Sequence, residues 1–157
     1  MSHPSLELLN TEAALRSVIE VLIDGQEVLR KIGEELKHEP AKRHLLAESL
    51  KRAEFRGELE TLLHQEGVRD IKESGTPEGT VYRIWAEVKG QLGGGDHTLL
   101  VTAEQCEDSA RELYAKALKN EPPMPLPVRQ LLASQAAHIE RSHAYITAAR
   151  DEAGQAA

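Results

Sequence analysis

Apolar residues recur at three- and four-residue steps along four long stretches of this chain, the spacing that gathers side chains on one face of an α-helix. In the first stretch, Leu15, Val18, Ile19, Leu22, Leu29, Ile32 and Leu36 predict a helix from about Thr11 to Lys37, with Asn10 or Thr11 as its cap. His38-Glu39-Pro40 ends it, because proline cannot continue a helix but suits the first turn of the next one. The second helix carries Leu45, Phe55, Leu59, Leu62 and Leu63 and runs to about Glu66, where Gly67 supplies a left-handed end. The third carries Leu99, Ala103, Cys106, Ala110, Leu113 and Ala117, with Asp96 as its cap, and stops at Asn120 before a proline-rich break. The fourth opens at Pro125 or Pro127 and carries Val128, Leu131, Leu132, Ile139, Ile146 and Ala149, with a tail from Asp151 onward that should fray.

Short breaks make the first and second helices one antiparallel hairpin, and the third and fourth another. Between the hairpins lies a connection of about 30 residues, too long for a structureless loop in a compact domain. Thr76-Pro77-Glu78 reads as a helix start, and Val81, Trp85, Val88 and Leu92 continue at the spacing of a short helix that ends in Gly93-Gly94-Gly95. Such a segment suits a crossover running the length of a bundle. The expected fold is therefore all-α: one domain over 1–157 with its core at about 10–150, a four-helix bundle with a short crossover helix between helices 2 and 3.

Composition narrows this further. Hydrophobic residues are 40 % of the chain and aromatics only 3 %, so Leu, Ala, Ile and Val must fill the core, which favours helices over a sheet. A formal net charge of -7 weighs against nucleic acid or anionic lipid as a partner. The single cysteine, Cys106, excludes an internal disulfide and fits a reducing cytoplasm. The first ten residues lack the pattern of a signal peptide, and no apolar run approaches a membrane span.

Chemistry in a bundle requires groups that point between the helices. Projection at about 100° per residue places Gln26, Arg52, Arg56, Gln135 and Ser142 inward, with Glu107, His138 and His143 flanking the apolar stripes and Asp24 and Glu27 turned away. These positions admit two readings. In the first, Arg52 or Arg56 is neutralised by Glu107 within a hydrogen-bonded layer. In the second, Glu107 and His143, assisted by Glu54 or Glu58, hold a metal. Glu140-Arg141-Ser142-His143 matches the E-x-x-H pair of di-metal bundles, yet Glu140 lies roughly 130° from the centre of its helix's apolar face and should be solvated. Glu60 with His64, and likewise His38 and His44, read as solvent-facing, and Cys106 as a small buried hydrophobe. The chain has no P-loop, nucleophile elbow, zinc-spaced cysteines or dinucleotide fingerprint.

Several blocks in order, LIDGQEVLRKIGEEL at 22–36, RAEFRGELETLLHQEG at 52–67, GTVYRIWAEVKGQLGGGD at 79–96 and EQCEDSARELYAKAL at 104–118, resemble the DUF2383 family of bacterial ferritin-like bundles with no assigned function. The resemblance implies a self-associating ferritin-like bundle, a dimer by preference. The wider superfamily has di-metal members with a carboxylate on helices 1 and 3 and E-x-x-H on helices 2 and 4. The nearest positions here are Gln26, Glu107, Glu54 followed by Gly57 instead of histidine, and Glu140 with His143. The expectation is a non-catalytic, self-associating protein with no cofactor and no metal site. The rivals are an iron or manganese oxidoreductase using Glu107 and His143, and a partner-binding adaptor in which Trp85 forms the contact surface.

Overall fold

The computed structural model describes residues 6–65, 95–120 and 123–156, and every element in them is a helix. Helix α1 spans Leu6–Glu35, α2 Glu39–Gln65, α3 Asp96–Leu118 and α4 Leu126–Ala156. At 30, 27, 23 and 31 residues, they match the four long helices expected from periodicity. The expected crossover helix with Trp85, and the end of α2 at Gly67, lie outside the described residues.

Two boundaries differ from expectation. Asn10 and Thr11 lie within α1, not at its cap. The tail from Asp151 does not fray: α4 continues to Ala156 and packs near the start of α3. A Cβ on Gly154 would come within 3.0 Å of the His97 ring, so the absent side chain lets that ring lie against the last turn of α4. Pro40 and Pro127 sit in first turns, where a missing N–H costs nothing.

The turn between α1 and α2 is held from three sides. Lys42 Nζ donates to the Glu34 carbonyl at 3.0 Å, satisfying an acceptor at the end of α1. Asp96 does not cap its own helix. Its carboxylate accepts from the Lys37 and His38 backbone N–H groups at 3.0 and 2.9 Å, while Gly95 in extended conformation occupies the cap of α3. Gly33 permits the close approach of α1 and α2 here, since a Cβ would meet Leu46 Cδ2 at 3.0 Å.

The Asp96 contacts also fix the topology: α2 and α3 begin at the same end of the bundle, so Gln65 and Gly95 lie at opposite ends. Close packing joins α1 to α2, α3 to α4 and α1 to α3, whereas α2 and α4 are the loosest of the neighbouring pairs.

The core has two apolar halves. Leu15, Leu22, Leu59, Tyr114, Val128 and Leu132 belong to one, and Leu29, Ile32, Leu45, Leu99, Ala103 and Ile146 to the other. A buried Leu or Ile stabilises by about 1.5–3 kcal/mol relative to exposure, so these two clusters are the main force closing the bundle.

Candidate functional site: the polar layer between the two core halves

Between the two halves, each helix contributes polar groups at the same level. Arg52 of α2 is fully buried, as is Glu107 of α3. The guanidinium meets the carboxylate through both oxygens, Nη1 to Oε1 at 2.7 Å and Nη2 to Oε2 at 2.8 Å. Arg52 Nη2 also donates to Glu48 Oε2 at 3.2 Å, one turn back on α2. Glu48 Oε1 in turn lies 2.7 Å from His138 Nε2 on α4. On α1, Gly25 faces the Arg52 side chain, which passes 3.6 Å from where a Cβ would stand. A buried cation persists only when paired, and here three carboxylate oxygens supply the pairing.

The expected layer is thus present with Arg52 as its cation and Glu107 as its neutralising acid. Arg56 is not part of it: half-buried, it turns its head outward and donates to Glu60 Oε1 at 2.6 Å. Paired with Glu60 one turn on, that guanidinium keeps its stem on the bundle and its charge near water. Glu60 is correspondingly paired with Arg56, while His64 is exposed.

Gln135 and Ser142 are buried as expected. Tyr114 donates to Gln135 Oε1 at 2.6 Å, and Gln135 Nε2 donates to the Phe55 carbonyl and to Glu58 Oε1, each at 3.2 Å. Burial pushes the Tyr114 hydroxyl well above the usual phenol range, so it stays a donor. Gln26 is only half-buried, and its main-chain carbonyl accepts from Ser49 Oγ at 2.8 Å.

His44 departs from expectation. It is half-buried, its Nε2 lies 3.1 Å from Ser142 Oγ, and its ring stacks on Tyr145 with centroids 4.0 Å apart. Burial lowers its pKa, only partly opposed by the Glu48 and Glu107 carboxylates. With Glu48–His138 and Glu58–Gln135, this makes the α2–α4 seam a ladder of long polar side chains, which explains why those two neighbours pack less closely than the others.

Asp24 is the largest departure. Expected to face away, it is 5 % exposed, and Glu20 one turn earlier is 8 % exposed. Val21 and Val28 are buried alongside them, so α1 is covered around more of its circumference than one stripe. Burial, then the Glu20 charge, raises the Asp24 carboxyl to about 6. Cys106 is a buried thiol pushed up to about 12 by burial and by Glu107, which makes it a hydrophobe and not a nucleophile.

Glu107 and His143 do not come together. His143 belongs to the outer α3–α4 seam, where its Nε2 lies 2.8 Å from Asp108 Oδ1 and 3.2 Å from Arg111 Nη1. Arg111 Nε donates to Glu140 Oε1 at 2.7 Å, and Glu140 is solvated as its angle predicted. The same seam continues through Arg150 and Thr147 to Glu104. Glu54 and Glu58 are exposed. Among the described residues, no group of three or more His, Cys, Asp or Glu is placed to hold a metal ion.

Sequence reasoning missed Glu48, Tyr114, Asp24 and Glu20. Two signals were available. Glu48 precedes Arg52 by four residues and so shares its face, and Tyr114 follows Glu107 by seven, two turns along the same line.

Two antiparallel helix hairpins around a polar mid-layer, with α2 and α3 starting at one end, define a ferritin-like four-helix bundle. The chain belongs to the family described as "Domain of unknown function (DUF2383)", whose model matches residues 10–120. No curated protein and no solved structure matches it.

The ferritin-like class brings a pair of metal ions to mind, and the residues present do not fit one. Both oxygens of Glu107 are engaged by a guanidinium in the place a cation would occupy. The acids nearest the E-x-x-H pattern, Glu54 and Glu140, are 58 % and 56 % exposed. No described helix is long and apolar enough to cross a membrane.

Proposed function

We propose that this chain is a non-catalytic, self-associating bundle protein of the cytoplasm, acting through its outer faces. The observation that carries this reading is the occupancy of the bundle's centre by Arg52, whose charge is met by Glu107 and Glu48. A centre whose Glu107 and Glu48 are committed to an internal ion pair leaves neither carboxylate free for a ligand, so binding falls to the helix surfaces. The acidic balance of the chain directs that binding toward protein and away from nucleic acid. A symmetric dimer is the favoured assembly, since a two-fold pair is the commonest closed oligomer.

Two measurements on the same preparation test this. Light scattering across a hundredfold range of concentration should give twice the 17.3 kDa of one chain. A monomer throughout that range removes the self-association. Metal analysis of protein purified without chelator should find iron and manganese far below one per chain. Near-stoichiometric metal that disappears in Glu107→Ala would replace this reading with a metalloprotein.

A further inference from the structure

Formal charges at the mid-layer do not balance. One cation, Arg52, faces two carboxylates, Glu48 and Glu107, all three buried. On the α1 side of this surplus lie Glu20 and Asp24, two more acids one helical turn apart and more than nine-tenths buried. Arg16 is the cation nearest Glu20, one turn earlier on α1. No hydrogen bond or ion pair among the described residues reaches Asp24. Across from it on α3 stands Cys106, and Arg52 of α2, already committed to Glu107, passes beside the adjoining Gly25. From α4 comes His138, held on Glu48, and His44 of α2 lies beside the same carboxylate.

We propose that the mid-layer is a proton-uptake site: the Asp24 carboxyl takes up a proton on mild acidification, and this strengthens the hold of α1 on the rest of the bundle. The driving force is local. An ionised Asp24 must be desolvated beside Glu20, with no partner among the described residues to offset the cost. A protonated Asp24 removes that repulsion. The bundle would thus be most firmly closed under mildly acidic conditions and would loosen at α1 as the pH rises, a regulatory property separate from the self-association proposed above.

The sign follows from the proton balance. An aspartate in the unfolded chain releases its proton near 3.8, whereas Asp24 in the folded chain holds it to about 6. The stability tied to that proton is whole below about pH 4, is lost as pH rises to 6, and stays lost above.

The test compares urea unfolding of the wild-type chain with Asp24→Asn, an uncharged isostere, at pH 4, 5, 6 and 7.5. The exposed Glu54→Gln serves as control. The folding equilibrium constant of D24N relative to wild type should rise at least tenfold between pH 4 and pH 6 and change little more by pH 7.5, and E54Q should stay flat. A D24N ratio that is also flat, or one that falls with pH, overturns the proposal. If D24N does not fold, a carboxyl carbon NMR titration of the wild-type chain decides the matter. An Asp24 midpoint near 6 supports proton uptake, and one at or below 4 rejects it.

Discussion

Arg52–Glu107 and Arg111–Glu140 are the same chemical pair in two settings. The first lies at the centre, both side chains inaccessible, with bidentate contacts of 2.7 and 2.8 Å. The second bridges α3 and α4 on the outside at 2.7 Å, with side chains 37 % and 56 % exposed. Distance does not separate them; solvent does. Water already serves the outer pair when it is broken, so its net contribution is small. The inner pair has no such substitute, and breaking it strands a charge. The inner pair therefore specifies where the helices meet, while the outer pair decorates a seam that apolar contacts already close.

The strongest way to break this comparison is Glu107→Ala. It should cost about 3–5 kcal/mol of folding stability by urea denaturation, because Arg52 loses its principal partner. The double change Arg52→Met with Glu107→Leu should recover most of that loss, ending within about 2 kcal/mol of the wild type. If E107A costs less than about 1 kcal/mol, the inner pair is no different from the outer one. A smaller effect is expected at the neutral edge of the layer. Tyr114→Phe leaves Gln135 Oε1 without its donor and should cost about 1–2 kcal/mol in the same measurement. A loss indistinguishable from zero would mean that water already reaches Gln135.

The smallest effect belongs to the outer seam. Glu140→Gln should change stability by no more than about 0.5 kcal/mol, and that change should shrink between 0.05 and 0.5 M salt by calorimetry. A loss of 2 kcal/mol or more would show that the seam, and not the buried layer, fixes the pairing of α3 with α4. The pH series on Asp24→Asn complements these, since it asks what an unpaired acid does at the level where Arg52 and Glu107 are paired.

Much of this arrangement was legible before any coordinates. Four periodic apolar stripes, Pro40 and Pro127 in first turns and the proline-rich break after Asn120 placed the helices to within a few residues. A pair between Glu107 and either Arg52 or Arg56 follows from charges projecting near apolar faces, and packing selects Arg52. Glu140 was read as solvated from its angle alone. The errors share a cause. Angle to a single stripe turns Asp24 outward and Arg56 inward, and His44 reads as solvent-facing near a turn, yet burial depends on how many neighbours a helix has. Helix α1 packs against both α2 and α3, so a residue off its main stripe is still enclosed. Helix α2 stands away from α4, so Arg56 near its stripe still reaches water, while His44 spans the gap to Ser142 and Tyr145.

Local rules of the chain determined the helices, their breaks and the need for a buried cation to find an acid, because periodicity, proline geometry and desolvation act on residues close in sequence. Which acid would answer which cation was a different matter. Glu48 and Glu107 gather on Arg52, the Asp96 carboxylate holds the turn after α1, and Asp24 is enclosed without a partner among the described residues. Those outcomes depend on the spacing and coverage of helices distant along the chain, and they exist only once the four are packed.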